Sequence, residues 1–257
     1  MYDPQQTNPA FPRPVPAYPQ PKPRRSGRKW WIALAVIVVL LLGLDFGAKA
    51  FAESELASQL KSHGFPVRPS VSIAGFPFLT QVIARDIHQV TVSSGSFPEG
   101  PLTVSSMKLT VDNVRIDTSL KGGTAGPVQG VANISLGAIG GFLSAAGPLS
   151  QLIGGAAGGN GLVVTAVGGD EIKASLNLVG GALSWSATWK AVPAGPGQVD
   201  LRLVSSSGLP SSLLGPASDI ALPLSQLPLG LRVTGGLNAS SSGLSVTVGA
   251  QSVSFGG

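Results

Sequence analysis

The chain has 257 residues, enough for one large domain or two small ones, and 17 basic against 12 acidic residues give a net charge of +5. It has no cysteine, which excludes disulfides, thiolate metal sites and thiol nucleophiles. The excess charge sits in residues 1–29, where Arg13, Lys22, Arg24, Arg25, Arg28 and Lys29 face Asp3 alone; the neutral remainder offers no basic footprint to nucleic acid.

Residues 1–29 form a proline-rich, basic tail, with Pro4, Pro9, Pro12, Pro14, Pro16, Pro19, Pro21 and Pro23 and little that is apolar to bury. Such a segment is expected to be disordered or polyproline-like, either as a solvated tail or as a docking strand for a proline-binding module. Residues 30–48 follow as a membrane segment. Arg24-Arg25-Ser26-Gly27-Arg28-Lys29 and Trp30-Trp31 precede a charge-free run to Leu44, the pattern of a cytoplasmic interface. The N-terminus is therefore expected in the cytoplasm, and the domain at 49–257 outside it. Trp30–Leu44 has 15 residues, about 22 Å of helix against a hydrocarbon core of about 30 Å. Continuing to Ala48 adds length and brings in Asp45 near the outer interface. Ala48-Lys49-Ala50 also fits a signal-peptidase site, so the alternative to a single-pass anchor is secretion after cleavage near Ala50.

Phe46–Ser62 reads as a helix, with Ala52, Leu56 and Leu60 on one stripe and a stop at Gly64 and Pro66. Strand patterns then dominate: Val67–Ile73, Ile87–Val92, Leu102–Ile116, Val128–Ile134, Leu162–Val167, Ile172–Val179, Ala182–Ala191, Val199–Val204, Leu229–Val233 and Leu244–Phe255. The alternation in Leu102–Ile116 changes phase at Ser105-Ser106, which predicts a bulge. Leu136–Ile153 departs from the pattern; Ile139, Leu143 and Ala146 predict a glycine-weakened helix ending before Pro148, followed by a loop at Gly154–Gly161. The glycine pairs are expected at turns. The fold class is α+β: a long, curved, mostly antiparallel β-sheet around one or two helices, preceded by one transmembrane helix. Leu176, Leu178 and Val179, like Leu201, Leu203 and Val204, make some strands apolar on both faces, as either core or a lipid groove requires.

The residues give little sign of catalysis. His63 and His88 lack a second histidine or a carboxylate at metal-ligand spacing, apart from Asp86. Ser58-Gln59-Leu60-Lys61 and Ser105-Ser106-Met107-Lys108 match S-x-x-K without the partner motifs that would make it a nucleophile. Asp112 with Asp117, and Asp170 with Glu171, read as charged turn residues before they read as a calcium site. No catalytic residue, metal ligand or cofactor is expected, and the chain is read as a non-enzyme. The most singular segment is Gly75-Phe76-Pro77-Phe78-Leu79: an aromatic plug closing the core, or a lip that dips into a bilayer or guards a groove.

Several segments together resemble a known family. They are Asp45 leading into a helix with Ala52-Glu53 and Leu56-Ala57, then AGFPFLTQV (74–82), IHQVTVSS (87–94), LTVSSMKLTVDNVRID (102–117) and LPLGLRVTGGLNASSSGLSVTVGAQSVSF (227–255). Over residues 45–255 the chain resembles the actinobacterial LmeA-like envelope proteins, which are similar to tubular lipid-binding domains. The resemblance implies phospholipid binding, notably of phosphatidylinositol, a link to lipoglycan synthesis, and an apolar groove between a helix and a curved sheet. The proline-rich tail and the Gly-, Ala- and Ser-rich middle depart from the shared pattern. With a groove of that kind, Phe76, Phe78 and Leu79 are expected at its mouth and Leu56, Leu60, Phe142 and Leu143 along it. The expected partners are phospholipid, the membrane and envelope biosynthetic enzymes. Two rival readings stay open: an envelope assembly or scaffold protein that holds no lipid, and an enzyme acting on envelope lipids.

Overall fold

A computed structural model describes residues 28–62, 64–118, 122–145, 162–178, 183–208, 215, 218–224 and 227–255. The chain divides into two units, residues 1–41 and 42–257. In the first, the described residues belong to helix α1 (Arg28–Ser62), whose side chains from Ile32 to Leu41 are exposed. Among the described residues, α1 is the one helix long and apolar enough to cross a membrane.

The second unit is α+β and antiparallel, as the strand patterns predict, but its strands divide between two sheets. The first sheet is built on β1 (Ser70–Ile73), β2 (Asp86–Ser94), β4 (Leu102–Ile116), β6 (Val128–Ile134), β13 (Gly243–Ala250) and β12 (Arg232–Ser240), hydrogen-bonded in that order. The short strands β3 (Phe97–Glu99), β5 (Gly123–Ala125) and β14 (Val253–Phe255) extend it around β4. The second sheet runs β11 (Asp219–Pro223), β10 (Gln198–Ser207), β9 (Leu183–Gly195), β8 (Glu171–Leu178) and β7 (Leu162–Gly168). Two further helices are α2 (Phe78–Ala84) and α3 (Leu136–Ala145), with a 3-10 turn at Pro228–Gly230.

Period-2 patterning gives each sheet one apolar face. Leu102, Val104, Met107 and Leu109 of β4, Ala132 and Ile134 of β6, and Leu244, Val246 and Val248 of β13 are buried together. In the second sheet Ile172, Ala174 and Leu176 are buried beside Trp185, Ala187, Trp189, Val199 and Leu201. The doubly apolar stretch at Leu201 resolves into buried Leu201, half-buried Leu203 and exposed Val204. At Leu176 the second member, Leu178, has a side chain outside those described, and Val179 lies outside the described residues altogether.

The bulge predicted at Ser105-Ser106 is present as a register shift between β4 and β6 after Val104. It turns hydroxyls where methyl groups would otherwise point. Ser106 Oγ accepts from Asn133 Nδ2 at 3.0 Å, and Asn133 Oδ1 accepts from Ser245 Oγ at 2.7 Å, so one polar row ties β4, β6 and β13. Ser105 Oγ accepts from the Ser135 N–H at 3.0 Å, and Ser135 Oγ accepts from Ala138 N at 3.1 Å. Ser135 is thus the N-cap of α3, and the bulge sets where α3 begins.

The two sheets meet through backbone. Ala239 N of β12 donates to Gly169 O in the β7–β8 turn at 2.6 Å, and Val233 N donates to Pro196 O in the β9–β10 turn at 2.9 Å. Hairpin turns of the second sheet thereby occupy donors on the edge strand of the first, which would otherwise be left unpaired. Gly235-Gly236, expected at a turn, instead lies inside β12 as an irregularity in its pairing with β13. Leu229, expected to open a strand, lies in the 3-10 turn, and the strand starts at Arg232. Pro228 explains the delay, because it fixes φ and supplies no N–H to the ladder. His63, Pro148, the loop at 154–161 and the glycine pair at 180–181 lie outside the described residues.

The β12–β13 turn needs its glycine. Gly243 has φ +142°, and a Cβ there would run into the Ile134 carbonyl. Gly243→Ala is expected to lower unfolding free energy by about 1–3 kcal/mol, measured by denaturant titration of the full chain in mild detergent.

Candidate functional site

Two apolar features stand out in the second unit. The first lies where the apolar run of α1 ends. Asp45 follows Leu44 directly, yet its side chain is only 4% exposed. The carboxylate accepts from two backbone donors, Phe78 N at 2.9 Å and Leu79 N at 2.7 Å. These N–H groups belong to the first turn of α2, whose N-cap residue Pro77 makes no side-chain capping bond. A carboxylate on α1 therefore caps α2 from outside, with charge opposite to the helix N-terminus. Glu53 Oε1 accepts from Ile73 N at 2.8 Å, which holds the same face of α1 again further along, and on another side of the helix Arg68 donates to exposed Ser54 Oγ at 2.9 Å. Ala48, Ala52, Leu56 and Leu60 pack from the Asp45 face onto the core, around buried Ala57.

The loop before α2 is fixed from its other side by Gln81. This buried amide donates to Ala74 O at 3.2 Å and accepts from His88 N at 3.4 Å. Gly75 is required there, since its φ is +97° and a Cβ would meet Gln81 Nε2 at 2.5 Å. The Phe76–Pro77 peptide is cis. The two phenylalanines part company: Phe78 is buried in the core, while Phe76 is 59% exposed and stacks on exposed Phe46 of α1, with centroids 5.9 Å apart. Phe78 thus closes the core as a plug would, while Phe76 stays at the surface.

The second feature is an open cleft of ≈ 460 Å³ between α3 and β7, lined by Leu136, Gly137, Gly140, Gly141, Ser144, Leu162, Val163 and Val164. Glycines at 137, 140 and 141 thin out the side chains on that stripe, leaving Leu136 and Ser144 at its two ends. A Cβ on Gly140 would come within 3.2 Å of Val164 Cγ2, whereas at Gly137 and Gly141 it would meet nothing within 4 Å. The other stripe of α3 carries Ile139, Phe142 and Leu143 into the core. On the inner face of the second sheet, Leu162 pairs with Leu176 and Leu176 with Trp185. Trp185 Nε1 is buried with no hydrogen-bond partner.

The residues expected to line a groove fall into two places. Phe76, Phe78 and Leu79 gather at the α1–α2 junction, with Leu56 and Leu60 half-buried along α1. Phe142 and Leu143 belong to α3 and are buried beneath the cleft rather than facing it. The glycines that create the cleft were legible only as helix weakeners; their spacing at i, i+3 and i+4 was the signal that they share a face.

No cluster of three or more His, Asp or Glu placed to hold a metal occurs among the described residues. His88 Nδ1 lies 3.3 Å from Gln81 Oε1, Asp112 Oδ1 accepts from Gln89, and Asp170 pairs with Lys190 at 3.5 Å. Each serves a local structural contact.

A family model described as LmeA-like phospholipid-binding matches residues 43–249, most of the chain. Comparison with curated proteins gives no match, and comparison with solved structures gives none. The matched stretch takes in Asp45, the aromatic loop and the α3–β7 cleft. Replacing Asp45 by alanine strands two donors of α2 and is expected to cost about 1–3 kcal/mol of stability, with Asp45→Asn intermediate because one acceptor oxygen remains. Unfolding followed by the near-ultraviolet signal of the buried tryptophans would measure both.

Proposed function

The chain belongs to the LmeA-like phospholipid-binding family, and on that premise we propose that it binds or chaperones a phosphatidylinositol-like phospholipid at the outer face of the cytoplasmic membrane, supporting lipoglycan or lipid biogenesis in the envelope. It does so as a binding protein and not as a catalyst. Acyl chain lies in the cleft between α3 and β7. The observation that carries this is the cleft itself: its ≈ 460 Å³ and its lining of glycine, leucine and valine with one serine, Ser144, match the size and mainly apolar character of small-ligand sites, about 300–1,000 Å³. Each methylene taken from water into it contributes about 0.8 kcal/mol. Phe142 and Leu143 hold α3 against the core and so keep the cleft open.

On this reading α1 is retained as a single-pass anchor with the N-terminal tail in the cytoplasm. What supports retention is the bonding of Asp45. Cleavage near Ala50 would remove the carboxylate that caps α2 and the ring on which Phe76 stacks.

The test is substitution of Gly141, which faces the cleft and has nothing within 4 Å of its Cβ position. Gly141→Leu fills the space. It also replaces a mid-helix glycine by a good helix former, so stability is expected to hold or rise by up to about 1 kcal/mol. Displacing two methylenes of bound chain weakens binding roughly tenfold. Native mass spectrometry of the full chain, purified in mild detergent and offered phosphatidylinositol, reads the loss directly. Leu143→Ala is the contrasting case, expected to cost about 2–5 kcal/mol of stability because Leu143 is core. Unchanged lipid uptake in a well-folded Gly141→Leu protein would move the lipid out of this cleft, and absence of uptake by the unsubstituted chain would leave an assembly role in its place.

A further inference from the structure

The apolar run of α1 is too short for the bilayer it is read as crossing, and the fold supplies what is missing. Trp30–Leu44 has 15 residues, about 22 Å of helix, while the hydrocarbon core needs about 30 Å. The shortfall is about five further residues at 1.5 Å each, which extends the apolar zone to the neighbourhood of Lys49. Within that stretch the helix carries Asp45 and, at its far end, Lys49. Asp45 is the buried residue there, its carboxylate turned inward onto Phe78 N and Leu79 N. What faces outward is Leu44 at 63% exposure and Phe46 at 62%, with Phe76 stacked on Phe46 from the neighbouring loop. Lys49, at the end of the stretch, approaches Glu53 one turn further on at 3.9 Å.

We propose that Phe46 and Phe76 form an aromatic collar that inserts into the outer leaflet and completes the membrane span. The loop Gly75–Pro77 then sits at the level where acyl chains meet headgroups, with the phenylalanine rings buried about 5–10 Å into that boundary, as apolar faces of interfacial segments are. Asp45 makes this possible twice over: it hides its own charge from lipid, and it fixes the loop that brings Phe76 to Phe46. The occupant of this exposed aromatic surface is the bilayer that α1 already enters, continuous with it in sequence. The collar rests on the reading of α1 as a retained anchor, but not on lipid occupying the α3–β7 cleft.

The absence of cysteine makes the test direct. Single-cysteine variants Phe76→Cys, Phe46→Cys, Val38→Cys and Ser241→Cys of the full chain are spin-labelled and reconstituted into vesicles of phosphatidylcholine and phosphatidylglycerol. Ser241 lies in the exposed turn between β12 and β13, and Val38 lies within the apolar run. Relative accessibility of each label to oxygen and to a water-soluble nickel chelate is then measured. Labels at positions 76 and 46 are expected to favour oxygen several-fold over the label at 241, approaching that at 38. If 38 reports hydrocarbon while 76 and 46 match 241, the collar is refuted and the anchor stands. If 38 also matches 241, the anchor reading fails and the collar with it. Because Phe76 and Phe46 are both exposed, neither substitution removes a core side chain, and agreement between the two sites excludes a local distortion at one of them.

Discussion

A carboxylate placed directly after a charge-free helical run and buried has to be satisfied without help from bulk water, and the junction of α1 with α2 is arranged around doing so. Asp45 takes two backbone donors from α2. Those donors are orphans of a helix that begins at a proline and makes no capping bond of its own. Each side solves the other's problem: the charge gains hydrogen bonds, and the short helix gains a cap. A seven-residue helix has little intrinsic stability, so its place depends on this pair and on Phe78 reaching the core. The exposed stack of Phe46 on Phe76 follows from the same bonds, because they bring the loop to α1.

The second unit distributes its apolar surface with a similar economy of position. Small residues clear space on one stripe of α3, while large residues on the other stripe anchor that helix. A glycine-rich helix is weak in isolation. Here it is held by its N-cap Ser135, itself held by the bulge residue Ser105. The irregularity in β4 is therefore part of how the cleft is positioned. The edge of the first sheet is likewise used, taking the turns of the second as hydrogen-bond partners.

The sequence by itself determined the order and kind of elements wherever a period was strict. The strand at Val128–Ile134 has the bounds its alternation predicts, and the phase change at Ser105-Ser106 is a bulge, because side-chain direction alternates along a strand whatever lies around it. The apolar run and the stripe Ala52, Leu56 and Leu60 merge into one helix for the same local reason. The family was legible from Asp45, the GFPFL loop and the C-terminal strands. What only the tertiary structure decided are the pairings between distant segments. Nothing local could divide the strands between two sheets, since that rests on which distant strands pair. Nothing in the loop could send Phe78 inward and Phe76 outward, since that depends on a carboxylate more than thirty residues earlier. The glycines of α3 carry no side chain whose pattern could announce a cleft; they become one only because β7 stands opposite. Periodicity is a property of a short stretch of backbone, whereas a groove, a cap and a collar are relations between surfaces that the chain brings together only by folding.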